Sequence, residues 1–414
     1  MNMAEASRPA DENALAALVS EAAAQGRRLS VRGAGSREGL GRPVEADLVV
    51  ETTALCGITL YEPEELVLSA RAGTPLADIE KALAEKGQML AFEPPDLSRL
   101  LGNTGRGPGT LGGMTAAGLA GPRRVKFGGV RDHLLGFRAV NGRGELFRAG
   151  GRVVKNVTGY DLSKLMCGSW GTLAILTELT FKVLPAPERT LTLLWTGLAE
   201  ERAQALMTEA MKSPMEVSAA AHVPAGIDGR ETARTALRLE GFARSVQARA
   251  HALKERLQDF GRPDEITDAE SLRFWRDIRD VAPLHAHEDA FIWRIIGPPA
   301  QGGERVQTIR ARMPDARMFM DWAGGLIWLA TPETDDIEAA RQQAESLRAI
   351  VKEGGHVTLI RAPAAIRRAV PVFHPQPPAL ARLAERVRAS FDPACILEPG
   401  RMVPLPRENA AADT

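Results

Sequence analysis

The chain is poor in cysteine, histidine and tyrosine, and it has no charge excess. Cys56, Cys167 and Cys395 stand far apart in 414 residues. They are odd in number and form no C-x-x-C, which excludes a disulfide framework and a zinc ribbon. Seven histidines leave little room for a metal-rich protein. Lys plus Arg and Asp plus Glu are 52 each. A nucleic-acid partner is therefore not expected, because its affinity needs excess cations to displace counterions. No run approaches the roughly 18 apolar residues that span a bilayer. Met1–Ala10 carries no charged-then-apolar targeting pattern. The reading is a soluble, cytoplasmic chain that meets a membrane only peripherally, through partners. P-loop and zincin motifs are absent, and Ser169 is not in G-x-S-x-G.

What is present is an ordinary globular mixture, 44% hydrophobic and 25% charged, long enough for two or three domains. Glycine is the uneven component: 18 of the 39 fall between Gly102 and Gly171. That stretch has no G-X-Y period and contains strand-like runs such as Leu134–Val140. Glycine here is read as letting backbone approach something closely.

Periodicity and caps predict a helix over Asn13–Gln25 stopped by Gly26, and strands at Leu29–Val31, Asp47–Glu51 and Leu66–Arg71. Thr74 is read as an N-cap, with Pro75 opening a helix to about Lys86. A long strand is expected over Thr172–Leu184, and Pro185-Ala186-Pro187 is the boundary signal. Beyond it, helices are expected at Glu200–Met211, Val246–Phe260 and Asp336–Val351. Strands are expected at Leu191–Trp195, Ala290–Ile296, Leu326–Leu329 and Val357–Ile360, with a last helix near Leu380–Ser390. The class is α+β.

Three glycine clusters carry the chemistry. Arg32-Gly33-Ala34-Gly35-Ser36 follows a strand. Gly39, Gly41 and Pro43 leave no room for the helix of a Rossmann unit, so the loop is either a backbone nest for phosphate or a simple turn. Thr110–Gly121 is nearly free of long side chains, which suits either a flat ligand edge or helix–sheet packing. Gly159-Tyr160-Asp161-Leu162 is followed by Gly168-Ser169-Trp170-Gly171-Thr172-Leu173, with Asp161 capping a helix over Leu162–Met166. The run Arg123, Arg124, Lys126 and Arg131 reads as a solvated face or a surface for an acidic partner.

In order and spacing these clusters resemble the FAD-binding domain of the vanillyl-alcohol-oxidase or PCMH-type flavoproteins. Asp392-Pro393 through Pro399-Gly400-Arg401 is similar to the tail that returns to the cofactor in that family. Gly73-Thr74-Pro75-Leu76, Gly87-Gln88-Met89-Leu90 with Glu93-Pro94-Pro95, Gly118–Arg124 and Lys155–Asp161 narrow the resemblance to the E-type, FAD-binding subunits of bacterial glycolate oxidases (glycolate dehydrogenases). Leu97–Gly109 stands outside that pattern as a glycine-rich insertion.

The resemblance implies a PCMH-type domain of two α+β subdomains over residues 1–187. It further implies an α+β cap over 188–370 and a segment 371–404 packing back on the first domain; the terminal stretch 405–414 is read from its position as a disordered tail. It implies noncovalent FAD, since Ser36 stands where covalent relatives place a histidine. The pyrophosphate falls to Arg32, Gly33, Ala34, Gly35 and Ser36. The flavin falls to Pro94, Thr110, Gly112, Gly113, Met114, Ala117, Gly118, Gly159, Tyr160, Asp161, Gly168, Gly171, Thr172, Leu173 and Ile175, with Arg401 available to the reduced ring.

The implied activity is glycolate oxidation to glyoxylate, with a D-like flavoprotein and an F-like iron–sulfur protein as partners. The alternatives are a self-sufficient dehydrogenase for a 2-hydroxy acid such as D-lactate, and a non-catalytic structural subunit. Oxidising a hydroxy acid needs a cation for the carboxylate and a base for the hydroxyl proton. The histidine cluster of active relatives is absent, so the main hydroxy-acid site is expected on the D-like partner. His356 is the base candidate in this chain; His374 reads as a loop residue. His285 and His287 would share one face of a strand but lack a third ligand, and no metal is expected.

Overall fold

The structure is a computed structural model that describes residues 5–152, 159–351 and 354–405. Lys155–Thr158 and most of the 405–414 tail lie outside the described residues. The architecture is α+β, with four sheets among the described residues.

The first unit starts with helix Glu12–Gln25. The Asp11 carboxylate accepts the Ala14 N–H at 2.8 Å, and Gly26 closes the helix at φ 65°. Leu15, Val19 and Ala22, on one helical face, are buried. The helix covers a parallel sheet of Glu5–Ser7, Leu48–Glu51 and Leu29–Arg32. The carboxyl-terminal segment joins this sheet. Leu397 pairs in parallel with Leu29, and the Glu398 N–H donates to the Leu29 carbonyl at 2.9 Å. The buried Asp392 carboxylate holds this segment by accepting the N–H groups of Ile396 and Leu397.

The second unit is an antiparallel sheet in the order Ile58–Glu62, Val67–Arg71, Ala174–Lys182, Leu134–Asn141, Leu146–Gly150. Helices Leu76–Ala84 and Leu111–Ala117 add Leu76, Ile79, Leu83, Leu111 and Met114 to its core. Thr74 is not the cap of the first of these. Its hydroxyl donates to the Arg71 carbonyl and accepts the Gly57 N–H, and Pro75 takes the cap position without a side-chain bond.

An eight-stranded antiparallel sheet is built from residues between Arg189 and Arg361. Four helices, Glu200–Met211, Ala243–Arg256, Gly302–Arg312 and Ile337–Ile350, pack on one face with Leu193, Leu237, Trp293 and Leu329. Its other face carries Phe319, Ile292, Trp328 and Ile360. These pack with Leu40, Leu97, Leu100 and Ala117 of the amino-terminal part. The period-two pattern of each strand thus serves two cores.

Four charges cross this contact. Arg238 donates to Glu93 at 2.9 and 2.8 Å, and Arg123 donates to Glu240 at 2.6 Å. All four are buried or nearly so. Arg123 is therefore not part of a solvated face. Burial pushes the Glu240 carboxyl up, but Arg238 and Arg123 outweigh it and hold the group at about 2.

Candidate cofactor cleft

Strand Leu29–Arg32 runs into a cleft of about 770 Å³, measured with its open mouth. One wall is the chain from Ser30 to Leu40. The facing wall is Thr110, Gly113, Ala116 and Ala117, and Trp170, Glu398 and Arg401 complete the lining.

The walls approach because glycine permits it. A Cβ on Gly33 would meet Thr110 Oγ1 at 2.3 Å, and Gly35 sits at φ 75°. Thr110 in turn accepts the Gly113 N–H and caps helix Leu111–Ala117. The second cluster divides its tasks residue by residue. Gly113 and Ala117 face the cleft, while Gly112 serves packing, since its Cβ would stand 2.8 Å from the Ala72 Cβ. Gly118 likewise lets Gly168 approach, a Cβ there being 3.1 Å from the Gly168 backbone.

Cations outnumber anions along the loop wall. Arg32 pairs with Glu38, which also takes Arg106 at 3.1 Å. Arg37 donates to the Pro108 and Pro95 carbonyls, and its buried Nε has no hydrogen-bond partner. Burial lowers its guanidinium to about 10, with Asp96 opposing. The insertion Leu97–Gly109 thus closes over this loop; Asn103 also donates to the Glu38 carbonyl at 2.8 Å.

Glu398, Trp170 and Arg37 were not legible as lining residues. Glu398 Oε1 accepts the Val31 N–H at 2.6 Å, and Oε2 pairs with Arg401 at 2.7 Å. The tail is therefore latched to the strand that feeds the glycine loop. Arg401 is not a free surface arginine but a cleft residue held by this carboxylate. Glu398→Ala leaves the Val31 N–H without this acceptor and the Arg401 guanidinium without its carboxylate, with only the Leu40 and Arg42 carbonyls still accepting from it. A loss of about 2–3 kcal/mol is expected in urea unfolding, with weaker cofactor retention.

Of the residues singled out from sequence, Arg32–Ser36, Thr110, Gly113, Ala117 and Arg401 line the cleft. Several others are placed elsewhere. Met114 and Leu173 are in the core of the antiparallel sheet, and Ile175 is in the core under the parallel one. Tyr160 is 94% exposed, and Gly159 and Asp161 are exposed beside it. Asp161 does cap helix Leu162–Met166 through the Lys164 N–H. Pro94, Gly112, Gly118, Gly168, Gly171 and Thr172 are not among the lining residues, with Thr172 bonded to the Ser169 carbonyl at 2.7 Å.

His356 is exposed at the start of an outer strand, His356–Arg361, with its ring 5.7 Å from that of His374. It does not line the cleft. His285 and His287 lie in a turn ahead of strand Ala290–Ile296, and the His285 ring bonds the Asp280 carbonyl at 2.9 Å.

The fold and this geometry have counterparts among known proteins. A family model described as FAD binding domain matches residues 5–150. Glycolate oxidase subunit GlcE of Escherichia coli is 34% identical over 392 residues, covering 94% of this chain and 96% of that one. Glycolate oxidase subunit GlcD of Bacillus subtilis is 36% identical over 152 residues, 37% of this chain and 30% of that one. The crystal structure of p-cresol methylhydroxylase with substrate bound superposes with a TM-score of 0.70 at 12% identity, covering 96% of this chain and 88% of that one. At that identity the likeness is one of fold.

Proposed function

This chain belongs to the family of glycolate oxidase subunit GlcE, FAD-binding oxidoreductases, and from that premise we propose that it is the FAD-binding subunit of a multi-subunit oxidase converting glycolate to glyoxylate. Electrons leave through a D-like flavoprotein and an F-like iron–sulfur protein. The observation that carries the reading is the glycine-walled, arginine-rich cleft closed by the Glu398–Arg401 latch.

The residues fit a dinucleotide. Arg32 to Ser36 expose backbone N–H groups beside cationic side chains, which suits a pyrophosphate. Gly113 and Ala117 leave a wall without long side chains for a flat ring. Gly112, Met114 and Gly118, in and just after the same short helix, support that wall by packing. Bound there, FAD supplies the two-electron acceptor for oxidation of a hydroxyl-bearing carbon. Ser36 in the loop makes the attachment noncovalent. No helix among the described residues is long and apolar enough to cross a membrane.

The test is purification of the chain alone and with its partners. Alone it is expected to carry yellow flavin absorbance and to gain melting temperature on adding FAD. Glycolate-dependent electron transfer at the full rate is expected only from the assembly. An isolated, FAD-loaded chain matching the rate of the whole complex overturns the multi-subunit reading, and a colourless chain indifferent to FAD overturns the flavin reading. The self-sufficient alternative assigned the base to His356. From its exposed position, His356→Ala is expected to leave kcat of the assembly within about twofold, a surface-substitution effect; a large loss would restore that alternative.

A further inference from the structure

Two arginine side chains, Arg294 of the large sheet and Arg124 of the short helix Arg124–Phe127, meet over one indole. Strand Ala290–Ile296 alternates: Phe291, Trp293 and Ile295 join the helix-covered core, while Ile292 and Ile296 join the face toward the amino-terminal part. Arg294 lies on this second face. Its guanidinium carbon stands 5.2 Å from the centre of the Trp322 ring, and that of Arg124 stands 4.7 Å from the same ring. Neither makes an ion pair with a carboxylate among the described residues.

Stacking on an indole is worth about 0.5–2 kcal/mol, which does not offset bringing two cations together. Burial lowers the Arg294 guanidinium to about 10, and the neighbouring Arg124 adds to this. The pair has no directly paired carboxylate among the described residues. The nearest candidate is Asp321, 1% exposed, whose Oδ1 accepts the Trp322 N–H at 2.7 Å.

Asp321 is faced by Glu93 from the loop ahead of the insertion, Arg238 from strand Arg234–Gly241, and Arg294. Behind Glu93 and Arg238 stand Arg123 and Glu240, with Arg124 across the ring. Burial raises the Asp321 carboxyl to about 7; the Trp322 N–H opposes this, Glu93 adds to it, and Arg238 and Arg294 lower it. Trp322 and Ala323 are held at φ 52° and 54°, where non-glycine residues are strained. The Trp322 indole N–H donates to the Gly121 carbonyl at 3.0 Å. Gly121 follows cleft residue Ala117 by four positions, a reach of at most roughly 15 Å. Arg124 is exposed and Arg294 half-buried.

We propose that Arg294 and Arg124, stacked on Trp322, form a carboxylate-binding subsite in this chain for a small 2-hydroxy or 2-oxo acid, with Asp321 as the resident counter-charge whose role the ligand carboxylate takes over. The proposal rests on the oxidase reading above and gives this chain an acid-binding site of its own, where the sequence pattern alone assigns that site to the partner. Linkage follows from two carboxylates sharing one cationic pair. The bound anion favours neutral Asp321, so affinity is highest below pH 7 and falls as pH rises through it, by up to about tenfold per unit for one proton.

The experiment uses the full chain loaded with FAD and oxalate, a two-carbon carboxylate with no hydroxyl to oxidise. Tryptophan fluorescence and calorimetry are the readouts. Saturable binding is expected, at least tenfold weaker in Arg294→Met and in Arg124→Met. Neutral glycolamide is expected not to compete. Affinity is expected to fall from pH 6 to pH 8 in the native chain and to stay flat in Asp321→Asn. Flavin absorbance is expected to be unchanged throughout, which separates this test from the cofactor reading. If Arg294→Met fails to fold, exposed Arg124 carries the test. Oxalate binding equally to both arginine variants, or a pH dependence that survives Asp321→Asn, overturns the proposal. So does absent oxalate binding with co-elution of a partner lost in Arg124→Met, which would make the pair a protein contact.

Discussion

Replacing Arg238 with methionine is expected to destabilise the protein by about 3–5 kcal/mol, because it leaves buried carboxylates without their cation. Arg238 is fully buried and donates twice to Glu93, and its Nε lies 3.4 Å from Glu240. In the variant, Arg123 alone must offset both carboxylates. Urea unfolding measures the loss. Glu93→Gln combined with Arg238→Met is expected to cost clearly less than the sum of the single changes, since the two share one interaction. Additive losses would mean that the pair does not act as a unit. The pH behaviour follows from Glu240. Its folded carboxyl is depressed to about 2, below an unfolded value of about 4.3. Its contribution is therefore fully present above that unfolded value and is lost as pH falls toward 2. The Glu240→Gln variant is expected to lose that part of the acid dependence.

Gly33→Val is expected to yield a folded but colourless protein, with affinity for FAD reduced at least about 100-fold. The argument is steric. Even a Cβ at this position stands 2.3 Å from Thr110 Oγ1. The valine either pushes the glycine loop off the Thr110 wall or fills the space between them. The control is Gly151→Ala, where a Cβ meets nothing within 4 Å and the backbone is not left-handed. It is expected to keep its flavin. Absorbance of the purified proteins and the rise in melting temperature with added FAD check both. A yellow Gly33→Val protein would remove the loop from the cofactor site.

Local physics was legible in the chain. Asp11 and Gly26 bound the first helix because a carboxylate caps N–H groups and glycine tolerates φ 65°. Strand Ala290–Ile296 has the ends that its apolar run implies. The Arg32–Ser36 loop stood out because only small residues let two backbones meet. Gly112 and Gly118 have the same composition signal as Gly113, yet they face Ala72 and Gly168 instead of the cleft. Which side of a short helix faces a cavity depends on what covers the other side.

By itself, the sequence determined the element types, the glycine loop and its capped helix, and the α+β class, because each follows from spacing, capping and backbone freedom within a few residues. Tertiary structure alone decided that Arg123 is buried against Glu240, 117 positions away. It likewise decided that Glu398 latches onto Val31, 367 positions away, and that Arg294 and Arg124 meet over one indole. Those outcomes depend on desolvation and on partners supplied by distant segments, and no local pattern carries that information.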